Sequence, residues 1–316
     1  MSGRVLVTGA NGCIGAWVIR QFLADGEEVV ALDAGDDDHR LRMILHGVEQ
    51  RGKLEKVRAD IRDLDGLKRL VRDREVDRVI HLAALQVPFA RANPPLGAAV
   101  NVVGTVNLFE AVKGTPAAER PLVYASSVAV YQPSGGGPRD GLPDTHYGVY
   151  KRANEGTAQV YARDDGIASI GFRPYSVYGV GRDQGVTASP TWAMLAAARG
   201  EPYTIAFSGA GHLQLAEDVA AACIAASRAG FEGATTLNLS GPCPDVTEIV
   251  AAIEAVVPDA QIAVDGRELP FPSRLDASAY AGVVGAPEPV TPLADGVART
   301  IDHFRRLDAE GRLELP

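Results

Sequence analysis

With 316 residues, 46% of them hydrophobic and 22% charged, the chain can bury a large core as one domain or two, and nothing in its composition points to a disordered or fibrous protein. A formal net charge of −9 gives no basis for nucleic acid or an anionic membrane as partner. Cys13, Cys223 and Cys243 are isolated and lack metal-ligand spacing. With a strand starting near the N-terminus and no apolar run of bilayer length, they predict a cytoplasmic protein without disulfides or metal.

Val5–Val7 is a short β-branched run of the kind found in a buried strand. Gly9, Gly12 and Gly15 follow, and then Ala16–Leu23 with apolar residues at helical spacing. A strand, a glycine turn and a helix start make an anion site. The first N–H groups of the helix point outward unpaired, and the macrodipole favours a pyrophosphate. Gly9 permits the tight turn, Gly12 lets the backbone approach phosphate, and Gly15 lets the helix lie close to the strand. The Gly-x-x-Gly-x-x-Gly spacing is one residue longer than the usual dinucleotide fingerprint, and alone it also describes a tight turn with no ligand. The continuation favours the ligand. Glu28–Leu32 reads as a second strand and ends in Asp33, near the interval at which a carboxylate meets the adenosine ribose hydroxyls and repels a 2′-phosphate. No arginine follows directly, and Arg40 and Arg42 fall on a loop or short helix. NAD is therefore predicted over NADP. Asp36–Asp38 reads as a solvated loop rather than a cation site.

Lys56–Ala59 is a third strand ending in Asp60 and Ile61, and Leu64, Leu67, Leu70 and Val71 share one helical face. Arg78–Ala84 is a fourth strand whose small exit, Ala83–Ala84, leaves room for something bulky to pass over it. Pro94–Pro95 opens a long helix to about residue 113. Pro121–Ala125 is a fifth strand, ending in Ser126–Ser127. Repeated β-α-β units with apolar strands predict an α/β fold, a doubly wound parallel sheet of the Rossmann type. Pro133–Gly141 is a glycine-rich loop, either a lid or an ordinary surface loop. A helix over 146–164 and a sixth strand, Ser169–Arg173, come next. Beyond Pro174 the alternation loosens, with helices expected near 190–199, 216–229 and 246–257 and strands near 203–206 and 235–239. Residues 1–175, with 212–240 returning to them, form the expected nucleotide-binding domain. Residues 176–211 and 241–316 form a smaller substrate-binding lobe.

Tyr147 and Lys151 lie four apart on the 146–164 helix and so share a face. A tyrosine of ordinary pKa, about 10, is a poor base at neutral pH, and a neighbouring ammonium is expected to lower it. Such a tyrosine can take the proton of a substrate hydroxyl while a hydride leaves its carbon. Lys151 can also reach the nicotinamide ribose. A serine at the end of the fifth strand can orient the substrate oxygen, or simply satisfy local backbone groups.

As an ordered set these stretches resemble the extended short-chain dehydrogenase/reductase family, the NAD-dependent epimerase/dehydratase group. The matching pieces are Thr8–Gly15, Asp33, Asp60–Ile61, His81–Ala84, Asn101–Thr105, Ser126–Tyr131, Tyr147-x-x-x-Lys151, Arg173–Gly179 and Glu217–Ala220, and they span nearly the whole chain. The resemblance implies Tyr147 as acid/base, Lys151 as its partner and Ser127 as the third member of the triad. It implies a cofactor site built from Gly9, Asn11, Gly12, Cys13, Ile14 and Gly15, with Asp33 on the ribose and Asp60 and Ile61 flanking adenine. Leu82, Ala83 and Ala84 would line its inner edge, Pro174, Tyr175 and Val177 would close over the nicotinamide, and Tyr147 and Lys151 would face it. Two departures bear on the substrate. Ser176 stands where nucleotide-sugar members usually have Asn, and Gly211 stands where an arginine facing a diphosphate is expected. Arg182, Arg199 or Arg274 would have to replace it. Gln86, Ser127, Ser176 and Arg182 are the substrate candidates, with Phe89 and Arg91 as further wall residues.

The expected activity is NAD-dependent oxidoreduction of a secondary alcohol on a carbohydrate-type small molecule, in the manner of a sugar or nucleotide-sugar epimerase or dehydratase. The alternatives are a dehydrogenase of a small polyol, sugar acid or other alcohol, and a non-catalytic NAD(H) sensor. The family also implies a homodimer through the helices at 94–113 and 146–164.

Overall fold

The structure is a computed structural model and describes residues 3–48, 51–131, 141, 143–269, 271–272 and 275–315. The 133–141 loop, apart from Gly141, and Arg274 lie outside the described residues. In chain order the first half runs β1 (Arg4–Thr8), α1 (Cys13–Ala24), β2 (Glu28–Asp33), α2 (His39–Leu45), β3 (Lys53–Arg58), α3 (Leu64–Asp73) and β4 (Val76–His81). There follow α4 (Val87–Ala92), α5 (Pro94–Ala98), α6 (Gly104–Val112), β5 (Leu122–Ala125), α7 (His146–Asp165) and β6 (Ser169–Arg173). The remainder is β7 (Ser176–Tyr178), α8 (Ser189–Arg199), β8 (Tyr203–Ile205), β9 (Leu213–Leu215), α9 (Ala216–Ser227), β10 (Ala234–Asn238), α10 (Val246–Val256), β11 (Ile262–Val264), α11 (Tyr280–Val284) and α12 (Leu293–Ala309).

Seven parallel strands form the central sheet in the order β10-β6-β5-β4-β1-β2-β3. Val5, Leu6 and Val7 of β1 and Ile80 of β4 are fully buried, as strands covered on both faces require. The strand order reverses between β1 and β4, and open α/β sheets place their ligands at the carboxyl ends around such a reversal. Two small parallel pairs, β7 with β9 and β8 with β11, lie outside that sheet. Of the stretch expected to return to the sheet, α9 and β10 do so, whereas β9 pairs with β7. One hydrophobic cluster extends from Val5 on β1 through Val219 on α9 to Leu307 on α12, so the early and late elements share a core.

The run from Pro94 to Val112 is interrupted by one π turn, Ala99–Val103. By length and composition this helical run is long and apolar enough to cross a membrane, which corrects the expectation that no apolar run has that length. Half of it is buried, packed against α3 and α7 as a core helix is.

Candidate active site

At the β1–α1 turn Gly9 has φ +71, and a Cβ there would sit 2.6 Å from the Ala83 nitrogen of the β4 exit. A Cβ on Gly15 would come within 2.3 Å of the Gly9 carbonyl, so α1 packs this close to β1 only with glycine. Gly12 caps α1 without a side-chain acceptor, and its backbone N–H donates to the Gly9 carbonyl at 3.0 Å. The next first-turn N–H groups, from Cys13, Ile14 and Gly15, therefore face an anion's position with no side-chain cap in the way. At the end of β2, Asp33 accepts the Asn11 N–H through Oδ2 and the Gly35 N–H through Oδ1, both at 3.0 Å, and Asn11 Nδ2 donates to the Gly35 carbonyl. Its carboxylate is thereby fixed beside the phosphate loop. The cradle fits a dinucleotide.

Cys13 points its thiol at the Val180 carbonyl, 3.8 Å away, and burial pushes its pKa up to about 12. A thiol held protonated fills space and is slow to oxidise. Asp60 is held by Arg62, which keeps its carboxyl below the usual range. Ile61 and Val177 are 4% and 5% exposed, with side chains in the core. Leu82, Ala83 and Ala84 are partly buried at the β4 exit, and the Leu82 N–H donates to the Thr8 carbonyl.

Ser126 and Ser127 separate at the end of β5. Ser126 turns inward to Glu155, which pairs with the half-buried guanidinium of Arg173. Ser127 turns toward Tyr147, near enough for its hydroxyl to favour the ionised phenol. Ser127 Oγ also accepts the Ala129 N–H at 3.1 Å, which leaves its own hydrogen for the phenol oxygen. α7 begins at Thr145, whose Oγ1 accepts the Gly148 N–H. A Cβ on Gly148 would lie 2.2 Å from the Ala129 carbonyl, so only glycine lets α7 enter against the Ser127 turn.

Lys151 is buried, its Nζ 5.6 Å from the centroid of the Tyr147 ring and donating to the Ala125 carbonyl at 2.6 Å. Desolvation lowers its pKa to about 8. The expectation that this ammonium pulls the phenol pKa down is not met. Burial raises the Tyr147 pKa, and the opposing influences are the Ser127 hydroxyl and the charge of Arg182. The lysine side chain runs alongside the ring to the strand end instead of meeting the phenol oxygen.

Behind Ser127, Tyr147 and Lys151 lies a buried polar network that the sequence reading left without a role. Thr105 spends its hydrogen on the Asn101 carbonyl at 2.8 Å, so its oxygen accepts from Asn154 Nδ2 and from Nε2–H of His81. His81 Nδ1 is then the acceptor for the Thr8 hydroxyl at 2.7 Å. Burial and the nearby Lys151 charge hold His81 neutral, with its pKa down at about 3. Asn101 lies in the π turn and braces the β4 exit through two bonds to the Leu85 backbone. Tyr147, Lys151 and Asn154 fall at i, i+4 and i+7 on α7, a stripe that could have pointed to Asn154 from the sequence.

On the other wall, Tyr175 packs edge-on against His212 and Phe271. A Cβ on Gly211 would lie 2.9–3.1 Å from the Tyr175 ring, so the aromatic side chain occupies the room an arginine at 211 would need. His212 accepts the Leu275 N–H at Nε2 and faces the Gly241 carbonyl with Nδ1. Ser176 Oγ is buried without a partner among the described residues, and the Pro174 carbonyl accepts the Val128 N–H. Gln86 and Arg182 converge on Gly185, whereas Phe89 and Arg91 lie exposed on α4. Arg199 faces Glu201 and Asp308, with exposed side chains all round.

The model of the NAD dependent epimerase/dehydratase family matches residues 5–240. The chain is 32% identical to the UDP-glucose 4-epimerase of Mycolicibacterium smegmatis, over 96% of this chain and 98% of that protein. It is 28% identical to MoeE5, solved in complex with UDP-glucose and NAD, with a TM-score of 0.74 over 96% of this chain and 99% of that one. The L-threonine dehydrogenase of Clostridium difficile superposes with a TM-score of 0.81 over 99% of both chains at 20% identity, a likeness of fold alone.

Proposed function

Because the chain belongs to the NAD-dependent epimerase/dehydratase family, we propose that it acts on a secondary alcohol of a carbohydrate-type substrate, with Tyr147 as general acid/base. NAD supplies the hydride acceptor when bound, and the glycine turn and Asp33 are the residues that would hold it. The observation that carries the reading is the approach of Ser127 to Tyr147 at the carboxyl end of β5, with Lys151 buried beside the ring. Ser127, pinned by the Ala129 N–H, favours the phenolate and orients a substrate hydroxyl toward it. Tyr147 takes that hydroxyl's proton as its carbon is oxidised and returns one on reduction. Lys151, held by one donor on Ala125, keeps two further donors for a ribose hydroxyl.

The similarity to a UDP-glucose 4-epimerase supports chemistry in which the alcohol is regenerated. A second reading, a dehydrogenase with net NADH release, is favoured by the wall at Gly211, where Tyr175 leaves no space for a cation. Incubating substrate with catalytic NAD separates the two, since stoichiometric NADH accumulates only in the second. The test of the shared core is Tyr147→Phe. Its turnover should fall by about 10²–10⁴-fold, the usual weight of a positioned acid/base, while NAD affinity by titration calorimetry stays within a few-fold. Unchanged turnover would remove Tyr147 from the chemistry.

A further inference from the structure

Several cations gather around the carboxyl ends of β2 and β3, and most are paired at the surface. Arg58 meets Asp36, Lys56 meets Asp38, Arg42 meets Asp38 and Glu314, and Arg62 meets Asp60. Arg40 differs in its surroundings and in its partner. Its side chain is 12% exposed and that of Asp183 is 10%, against 49% for Arg42 and 69% for Arg58, so solvent and salt weaken this pair least. The guanidinium is forked onto the carboxylate, with Nε 2.8 Å from Oδ2 and Nη2 donating to Oδ1, and Asp183 comes from the segment after β7, 143 residues further along the chain. The remaining terminal nitrogen, Nη1, donates to the Asn11 carbonyl at 3.1 Å. Asn11 in turn donates its backbone N–H to Asp33. The guanidinium and the carboxylate expected on the ribose therefore flank one residue of the phosphate loop.

An arginine beside the adenosine ribose is the ordinary means of holding a 2′-phosphate. A carboxylate competes for the same flat donor edge, because both anions accept its parallel N–H bonds. Here Asp183 occupies that edge. It is itself held, since His39 Nε2 lies 3.0 Å from its Oδ2 while His39 Nδ1 faces Asp37 at 2.8 Å. Gly181, at φ +85, turns the chain onto α2, and a Cβ there would lie 3.7 Å from Cβ and Cγ of Arg40. The turn after β7 thus delivers the carboxylate to Arg40 and keeps it there.

We propose that Asp183 is a remote determinant of cofactor choice, which withholds Arg40 from a 2′-phosphate and so keeps the site for NAD. This rests on the reading of the glycine turn and Asp33 as the dinucleotide site. It does not depend on the role of Tyr147. The test is titration calorimetry of NAD and NADP with the full chain carrying Asp33→Ser, so that the ribose carboxylate does not mask a gain, and with the same chain plus Asp183→Asn, Arg40→Gln or both. Asp183→Asn should tighten NADP by about tenfold or more, the weight of a charge-assisted arginine–phosphate contact, and shift NAD by about threefold at most. The gain should vanish where Arg40 is already replaced, as a double-mutant cycle reads it. Asp183→Glu, which returns the charge on a longer arm, should restore the parent ratio. Three results would overturn the proposal: no gain for NADP, equal changes for both cofactors, or a gain that persists without Arg40. The second would make the clasp a brace for the phosphate loop, and the third would assign the effect to one lost negative charge. Should Asp183→Asn melt early, thermal shifts separate the same outcomes, because NADP must then raise the melting temperature more than NAD does at equal concentration. The wild-type chain keeps the two ideas apart. Equal affinity for NAD and NADP there, with the Arg40-dependent gain intact, would take Asp33 off the ribose and leave the clasp standing.

Discussion

Lys151 carries its ammonium on a side chain only 3% exposed, and burial brings its pKa from the ordinary 10.5 down to about 8. The unfolded chain therefore binds more protons than the native one between pH 8 and 10.5, and stability gains with pH across that window. Below pH 8 the native state bears the full desolvation cost, about 3 kcal/mol for a shift of this size. Lys151→Met should accordingly raise the melting temperature of the cofactor-free protein at pH 7, and its advantage over the wild type should shrink between pH 8 and 10.5. Equal melting curves at pH 7 would mean that the Ala125 carbonyl and the Tyr147 ring already offset the cost. That Ser127, Tyr147 and Lys151 come together was readable from their order and spacing along the chain. Their protonation was not, since it follows from where the lysine side chain leads and from how deeply the phenol is enclosed.

Helix α7 delivers Tyr147, Lys151 and Asn154 from one face, and it enters with Gly148 packed closely against the Ala129 carbonyl and Pro143. Gly148→Ala must push the helix start away from the Ser127 turn. A stability loss of about 1–3 kcal/mol is expected from such overpacking, with kcat falling more than the substrate KM rises; unchanged kcat would show that the turn absorbs the methyl group. The β2–α2 connection makes a second statement at this scale. Asp33 is fixed by two backbone N–H groups, while Arg40 and Arg42 are both spent on carboxylates, Asp183 and Glu314, leaving the ribose end with a negative charge. NAD should bind at least tenfold more tightly than NADP, and Asp33→Ser should narrow the ratio mainly by weakening NAD, as loss of the ribose acceptor implies; equal wild-type affinities would contradict this assignment. Periodicity showed the strands and long helices of the sheet because apolar spacing reports directly on burial. The β7–β9 pair and the π turn were hidden, since three-residue strands and one extra residue in a helix leave no period to detect.

Across the whole molecule, the shared core and the Arg40–Asp183 clasp tie the nucleotide-binding strands to the elements that follow β6. The early, regular half declared its topology in the sequence, and the later half did not, because its strands are short and its order comes from packing on α1, α8 and α12. One surface remains apolar. Phe89 on α4, Val103 in the π turn and Val149 on α7 are 49%, 48% and 43% exposed on neighbouring elements. We expect two copies to meet there, with light scattering giving twice the chain mass and the pair Val103→Glu and Val149→Glu giving a monomer; a monomeric wild type would rule the contact out. The chain has two tryptophans. The indole N–H of Trp17 on α1 donates to the Val180 carbonyl at 3.0 Å, and Trp192 on α8 shares a small recess with Arg182 and Asp183. Both chromophores thus border the segment at Val180–Asp183 that follows β7. Ordinary ultraviolet emission, without any attached dye, should register any shift of that segment when a ligand settles in, and replacing either indole with phenylalanine would tell which side moves.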